Sequence, residues 1–333
     1  MDLRQIKLIG VLVAILSLIV LSIILNKHFM PMLSKKASYT LKIIVILMMI
    51  GSIFITYFTI FFKDFNKEYG WNVEYINYEK IQNYSTGKSQ VIVLIDSGIS
   101  KSQENQVIEN INLTKDISNY DTNGHGTMML SILKGYKSKI KGIAPDVKVI
   151  SIKTMDQSGK SSSENLLKAL EIAYQRNNIS IINLSLGSYL EDENIKKMIN
   201  KIIEKGITVV ASTGDYGTDK MLFPASMDNV ISVGALSANN KPWDYTNGLE
   251  ICDILAPGDE IKSLELNSNI ELTSGTSQSS ILISGYISLL KDYGQKNNIK
   301  VSNIEIINIL NKINAKKITY FNGFSELKKS DLK

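Results

Sequence analysis

The chain has 333 residues, 44% hydrophobic and 21% charged, with a formal net charge of +5, so its apolar content suffices for a full-sized core. A single cysteine, Cys252, excludes an intramolecular disulfide framework, and with two histidines beside it a His/Cys zinc site has almost no ligands to draw on. The positive balance comes partly from lysines flanking apolar runs and from a Lys-rich tail, without interleaved aromatics, which argues against a nucleic-acid partner.

Leu8 to Leu25 is an uncharged apolar run, and Ile43 to Phe62 is another. At about 1.5 Å per residue each can cross a hydrocarbon core about 30 Å thick, the second more comfortably. A cleavable signal peptide is the alternative for the first run. Its apolar stretch is long, however, no small-x-small site follows before Asn26, and a second run comes soon after. Residues 1–62 are therefore expected to form a transmembrane hairpin with spans at about 8–25 and 43–62, which makes the lipid bilayer a partner. Lys27, Lys35, Lys36 and Lys42 concentrate in the connecting loop and tilt it toward the cytoplasm, so the remaining chain is expected outside the cell membrane. Residues 63–82 show no sustained period and read as a juxtamembrane linker, with the soluble domain over 83–333.

From Gln90 the pattern becomes α/β. Val91 to Ile95 is a continuous apolar run ended by Asp96-Ser97-Gly98, as expected of a buried parallel strand. Asp121-Thr-Asn-Gly-His-Gly-Thr127 is a glycine-flanked turn entering an apolar segment, Met128 to Leu133. Val147 to Lys153 is a second strand candidate, followed by a loop through Gln157, Ser158 and Gly159 and a helix over Ser163 to Gln175 with Ser163 as cap. Ile179 to Ser185 is a third strand, ending at Leu186-Gly187. Glu191, Asp192 and Glu193 open a helix to about Glu204, where acids complement the helix dipole. Gly206 to Ala211, ending in Ser212-Thr-Gly-Asp215, and Val230 to Ala235 complete five strands. Strands alternating with helices predict a doubly wound parallel sheet with helices on both faces, and ligands in such sheets bind beyond the carboxyl ends of strands.

The last strong feature is Leu272 to Ser280, where the tight turn Ser274-Gly275-Thr276-Ser277 feeds an apolar segment with helical spacing. Ser277 falls at or just inside a helix N-terminus, as a cap or as a nucleophile whose developing oxyanion meets unpaired N–H groups. Asp96 at a strand end and His125 in a glycine-bracketed turn each have an ordinary structural reading as well. Together they hold the parts that serine nucleophilic catalysis requires: a hydroxyl, a base to take its proton, and a carboxylate to orient the base.

With those blocks in view, the sequence resembles the subtilases, the subtilisin-like serine peptidases. The resemblance rests on Val93-Leu-Ile-Asp96-Ser-Gly98, Asn123-Gly-His125-Gly-Thr127 and Ser274-Gly-Thr-Ser277 with Gly285 behind it. Lys141-Gly-Ile-Ala-Pro145, Ile182-Asn-Leu-Ser-Leu-Gly187, Phe223-Pro-Ala225 and Ala256-Pro-Gly258 support it, and coverage runs from about Asn83 to Leu327. It implies a subtilisin-like fold and an endopeptidase acting on a polypeptide substrate without a cofactor. Ser277 would attack the scissile carbonyl, His125 would shuttle the proton, and Asp96 would orient the imidazole. Leu184, Ser185, Leu186 and Gly187, with Ser212, Thr213 and Gly214, would line the substrate cleft, and Gln157, Ser158 and Gly159 would form its opposite edge. An extended peptide would add between them as a strand.

Three departures qualify the resemblance. Asp215 stands where the family usually has an asparagine that donates to the oxyanion alongside the Ser277 backbone. In subtilisin, itself the source of the figure, losing that donor costs about 10²–10³ in turnover. An ionised aspartate cannot donate, whereas one protonated through burial could, so the expectation is a slow or pH-tuned enzyme, with a peptide-binding receptor on the same fold as the alternative. The segment Gly135 to Lys141 carries no carboxylate and looks too short for the family's calcium loop, so no metal is expected there. The stretch between the second apolar run and the domain leaves no room for a propeptide domain, so folding without one is expected. Asp219 offers either a preference for basic substrates or, more simply, a solvated loop acid.

Overall fold

A computed structural model describes residues 69–330 continuously, together with scattered residues between 27 and 54. The chain divides into two compact units, residues 1–68 and 69–333, and the second holds the sheet and the helices around it. The expected span over 8–25 lies outside the described residues and that over 43–62 does so in large part. Among the described residues no helix is long and apolar enough to cross a membrane. The described residues between Ile43 and Phe54 are helical, and Ile46, Leu47, Met48, Ile50 and Phe54 are exposed.

The domain opens earlier than expected. Helices α1 (Trp71–Ile76) and α2 (Tyr78–Gln82) occupy what reads as linker, and Ile76, Tyr78 and Ile81 are buried. Helices this short have no stability of their own and leave no periodic signal, so tertiary packing makes them. Asn77 joins them in the left-handed conformation, and its side chain accepts from the Lys80 N–H.

Strands β1 (Val91–Asp96) and β2 (Glu109–Asn112) precede helix α3 (His125–Lys134). A small hairpin of β3 (Gly135–Tyr136) and β4 (Ile140–Lys141) leads to β5 (Lys148–Lys153) and α4 (Ser163–Gln175). Then come β6 (Ile181–Leu184), α5 (Glu193–Glu204), β7 (Thr208–Ser212), β8 (Ile231–Leu236) and β9 (Ile254–Pro257). A second hairpin, β10 (Ile261–Leu264) with β11 (Ile270–Thr273), feeds α6 (Thr276–Lys296), and α7 (Asn303–Asn314) and α8 (Tyr320–Ser330) close the chain.

The main sheet runs β2-β5-β1-β6-β7-β8-β9, and every neighbouring pair is parallel. Alternation along β1 shows why its sequence reads as unbroken apolar residues. Ile92 and Leu94 join the core beneath α3, α6, α7 and α8, while Val91, Val93 and Ile95 join the core beneath α4 and α5. The edge strand β2 carries one apolar residue in Glu-Asn-Ile-Asn and is half-buried throughout, so it has no such signature. The helix over 163–175 forms as expected, but its cap is Ser162, whose hydroxyl accepts from Asn165 N–H, one residue earlier than the sequence suggests.

Helix α6 is the centre of the domain. Its residues from Thr276 to Leu290 are all buried, because β6 to β9 lie against one side and α3 and α8 against others. Near its end the Asp292 carboxylate accepts from Ser85 Oγ at 2.7 Å, Ser89 N–H at 3.0 Å and Lys296 Nζ at 2.7 Å, which fastens the chain before β1 to the helix. Burial alone would raise this carboxyl, but those donors outweigh it and hold its pKa at about 2 against an ordinary 3.8. A carboxylate lowered in the fold stabilises it above pH 3.8 and loses that contribution as the pH falls through about 2. Urea unfolding should therefore show a loss of about 2 kcal/mol across that window. Asp292→Asn should flatten the profile there, and an unaltered slope would show that the clamp contributes nothing.

Candidate active site

The strand order reverses at β1: the chain first builds β2 and β5 on one side, then β6 to β9 on the other. A crevice opens at such a reversal beyond the carboxyl ends of the flanking strands. Asp96 ends β1, and Ser185 follows β6, so both stand at that rim.

His125 is the first residue of α3, and the glycines beside it allow its approach to β1. A Cβ on Gly126 would collide with the carbonyl oxygen of Gly98, so the two turns touch backbone to backbone. Gly126 N–H donates to Ser97 Oγ at 2.9 Å, and Asp121 N–H to the Ile99 carbonyl at 2.8 Å. The outcome is a close pair, with His125 Nδ1 at 2.8 Å from Asp96 Oδ1 and 3.0 Å from Oδ2. Asp96 is buried while the imidazole keeps a quarter of its surface exposed, open on the side away from the carboxylate. Burial disfavours the imidazolium, but the Asp96 charge and hydrogen bond, aided by Asp121 and Asp215, outweigh it and lift His125 above its usual 6.5.

Asp121 is a functional residue that sequence reasoning missed. Its carboxylate accepts from Asn123 and Gly124 N–H groups at 2.9 Å, from Thr127 N–H at 3.0 Å and from Thr127 Oγ1 at 2.6 Å. It thereby shapes the turn that carries His125. The available signal was an aspartate two residues before Asn123, a spacing suited to a side-chain-to-backbone turn.

Ser277 lies one residue inside α6, as the sequence suggests, with Gly275 at the cap position. Its Oγ is 3.5 Å from the Ser185 carbonyl. Thr276 beside it donates both its N–H, at 2.8 Å, and its hydroxyl, at 2.7 Å, to Asp215 Oδ1. Asp215 is thus a helix cap supplied from a neighbouring loop, and it is exposed, not enclosed by apolar walls. Gly214 N–H donates to Thr276 Oγ1 at 3.1 Å, which ties the loop after Ser212 and Thr213 to the same turn.

A cleft of 770 Å³ begins at His125 and contains Gly159 on one edge with Ser185, Leu186 and Gly187 on the other. Met155, Leu166, Leu190, Ile195 and Phe223 supply its apolar floor. Leu184 is buried within β6, and Gln157 reaches the histidine turn through its carbonyl, which accepts from Asn123 Nδ2 at 3.2 Å. Ser158 turns inward to Asp156, donating its hydroxyl at 2.6 Å. Ser212, Thr213 and Gly214 lie outside this cleft. Asp219 faces a separate cavity of 400 Å³ with Trp243 and Glu250, away from Ser277, which favours the solvated-acid reading. Among the described residues no cluster of three His, Cys, Asp or Glu side chains could hold a metal.

With this geometry in place, residues 71–316 match the family profile described as "Subtilase family". The chain is 32% identical over 228 residues to the minor extracellular protease Epr of Bacillus subtilis (strain 168), covering 66% of this chain and 35% of Epr. It is 28% identical over 228 residues to the major intracellular serine protease of the same organism, covering 63% of this chain and 70% of that one. The chain therefore spans about a third of one curated relative and over two thirds of the other. Among solved structures, the prenylagaramide maturation protease PagA superposes with a TM-score of 0.64 at 26% identity, covering 75% of this chain and 98% of PagA.

The ionisation of His125 tests the pairing directly. Its imidazole resonances should titrate above pH 6.5 in the intact protein, and Asp96→Asn should lower that midpoint by removing the nearest charge. A midpoint unmoved by Asp96→Asn would break the assignment.

Proposed function

The chain belongs to the subtilase family, and from that membership we propose that it is a serine endopeptidase, tethered to a membrane, that cleaves polypeptide substrates reaching that surface. The observation that carries the peptidase reading is the Asp96–His125 pair at the sheet's reversal, with His125 lining the same cleft as Ser185, whose carbonyl lies 3.5 Å from Ser277 Oγ at the start of the buried helix.

In this reading Ser277 Oγ attacks the scissile carbonyl as His125 takes its proton through the ring nitrogen not held by Asp96. Asp96 fixes the tautomer and stabilises the imidazolium. The carbonyl oxygen becomes an oxyanion beside the first turn of α6. Thr276 N–H is engaged by Asp215, and Ser277 N–H is the next donor without a partner inside the helix. The protonated histidine then protonates the leaving amine, and water hydrolyses the acyl-enzyme. An extended peptide would lie in the cleft between Gly159 and Ser185–Gly187.

Asp215 tunes this reaction in two ways. Its Oδ1 accepts from both Thr276 donors at the helix end where the oxyanion forms, and its charge contributes to raising His125. Tethering is supported by the apolar runs Leu8 to Leu25 and Ile43 to Phe62, and by the exposed apolar residues between Ile43 and Phe54. Lysines in the loop between the runs favour a peptidase domain outside the cell membrane. Substrates then include exported precursors, leader sequences and membrane proteins, and PagA, described as a maturation protease, offers a parallel for processing work. The second reading, a peptide-binding receptor, draws on Asp215 alone.

A fluorophosphonate probe should label Ser277 in the full chain, and His125→Ala should abolish labelling. Absence of labelling in the unaltered protein would favour the receptor. Asp215→Asn keeps an acceptor for Thr276 and adds a donor, so turnover at neutral pH should rise by about 10-fold or more. The acid limb of the rate profile should also move to lower pH, since His125 loses a neighbouring negative charge. A rate that stays level or falls would rule out Asp215 as the brake. On fractionation, the full chain should remain in the membrane pellet through an alkaline carbonate wash, and its release would remove the tether.

A further inference from the structure

Two glycine walls leave the nucleophile side by side. One runs from the Ser185 carbonyl, 3.5 Å from Ser277 Oγ, to Gly187. The other runs from Thr213 through Gly214 to Asp215, which holds Thr276. With no side chains at Gly187 and Gly214, the slot between the two walls beside Ser277 is left for another side chain to occupy. Here the slot is filled by Leu222. Its Cδ1 lies 3.2 Å from where a Cβ on Gly187 would stand and 2.9 Å from where one on Gly214 would stand, so a single methyl touches both walls.

The leucine is held there by backbone on both sides. Leu222 N–H donates to the Thr213 carbonyl at 2.9 Å, and Phe223 N–H to the Ser188 carbonyl at 2.8 Å, with Ser188 N–H returning to the Phe223 carbonyl at 2.9 Å. Leu222 is buried, at 8% exposure. Beyond the glycines the walls are bridged again. The Tyr189 and Tyr216 rings pack with centroids 5.9 Å apart, and Tyr189 Oη lies 3.2 Å from Thr218 Oγ1. Buried Asn247 reinforces the far side, accepting from Tyr216 N–H at 2.9 Å.

We propose that Leu222 is a specificity-determining residue that restricts the substrate residue on the acyl side of the scissile bond to glycine or alanine. The inference rests on the peptidase reading of Ser277. A larger side chain entering the slot meets close-packed atoms with no room to yield, and small misfits in such sites separate substrates by about 10–200-fold. The 770 Å³ cleft with its apolar floor remains open, so affinity comes from residues further along the peptide, and the position at the bond is chosen by exclusion.

The full chain is assayed with a peptide library varied at that position. Alanine and glycine should exceed phenylalanine and leucine by about 100-fold in kcat/KM. Leu222→Gly, or Leu222→Ala if the first variant folds poorly, should raise phenylalanine turnover at least about 10-fold while leaving alanine nearly level. Two sulfonyl fluorides give an independent readout, in which serine oxygen bonds to sulfur and fluoride leaves. Methanesulfonyl fluoride should inactivate the unaltered protein much faster than phenylmethanesulfonyl fluoride, and Leu222→Gly should narrow that gap. Equal cleavage after alanine and phenylalanine in the unaltered protein would overturn the proposal, as would a Leu222→Ala variant with unchanged selectivity. Failure of even methanesulfonyl fluoride to react would instead strike the peptidase reading, and this inference with it.

Discussion

The arrangement depends on a helix that is buried on every side. Thr276 to Leu290 of α6 have no solvent-facing stripe, so the polar groups this helix carries must find partners inside the protein. Ser279 Oγ donates to the Ala256 carbonyl of β9 at 2.9 Å, and a further set lies at β6 and the turn after it. Ser280 Oγ is 3.0 Å from Ser185 Oγ, Ser284 Oγ donates to Asn183 Oδ1 at 2.9 Å, and Asn183 Nδ2 donates to Ser185 Oγ at 2.9 Å. Sliding the helix by one residue would strand these groups and the apolar side chains around them together. This ladder sets the register of α6, and through it the position of Ser277 against the rim where β1 delivers Asp96.

The same helix end explains the tension at Asp215. A helix N-terminus favours negative charge, and Asp215 satisfies two Thr276 donors there at once. The interaction stabilises the resting site. A reaction that builds an oxyanion beside Ser277 needs the same positive end, and a carboxylate already in place competes for it. Asn at this position would keep the acceptor and lose the competing charge. In the proposed reaction aspartate would favour the folded, unreacted state over the developing oxyanion, while its charge raises the His125 pKa and so supports the imidazolium.

Much of the candidate site was legible because its residues stand at places with strong local signatures. Asp96 ends a wholly apolar strand, His125 sits among turn glycines, and Ser277 opens an apolar helix. The glycines were legible as punctuation, but their purpose was not. Gly126 is needed because Gly98 passes against it, and Gly187 and Gly214 matter because Leu222 reaches between them. Leu222 itself, in Lys-Met-Leu-Phe-Pro, reads as an ordinary buried leucine, and only the folding of three separate segments makes it the floor of a slot. The early helices α1 and α2 were illegible for a related reason. Ile76, Tyr78 and Ile81 are apolar at no clean period, yet all three join the same core as the buried helix α6.

The sequence by itself determined the five central strands with the helices between them, the parallel class of sheet, and the three blocks that carry the family resemblance. Apolar runs, caps and turn residues act locally, within a few positions, and the alternation of strand and helix leaves little choice of topology. Tertiary structure alone decided which side chains share space. It made Asp215 an exposed helix cap, made Asp121 the frame of the histidine turn, and moved the domain's start back to the helices around Asn77. Those outcomes depend on contacts between residues far apart in the chain, where burial, close approach and charge are set by the packing of whole elements and not by any stretch of sequence.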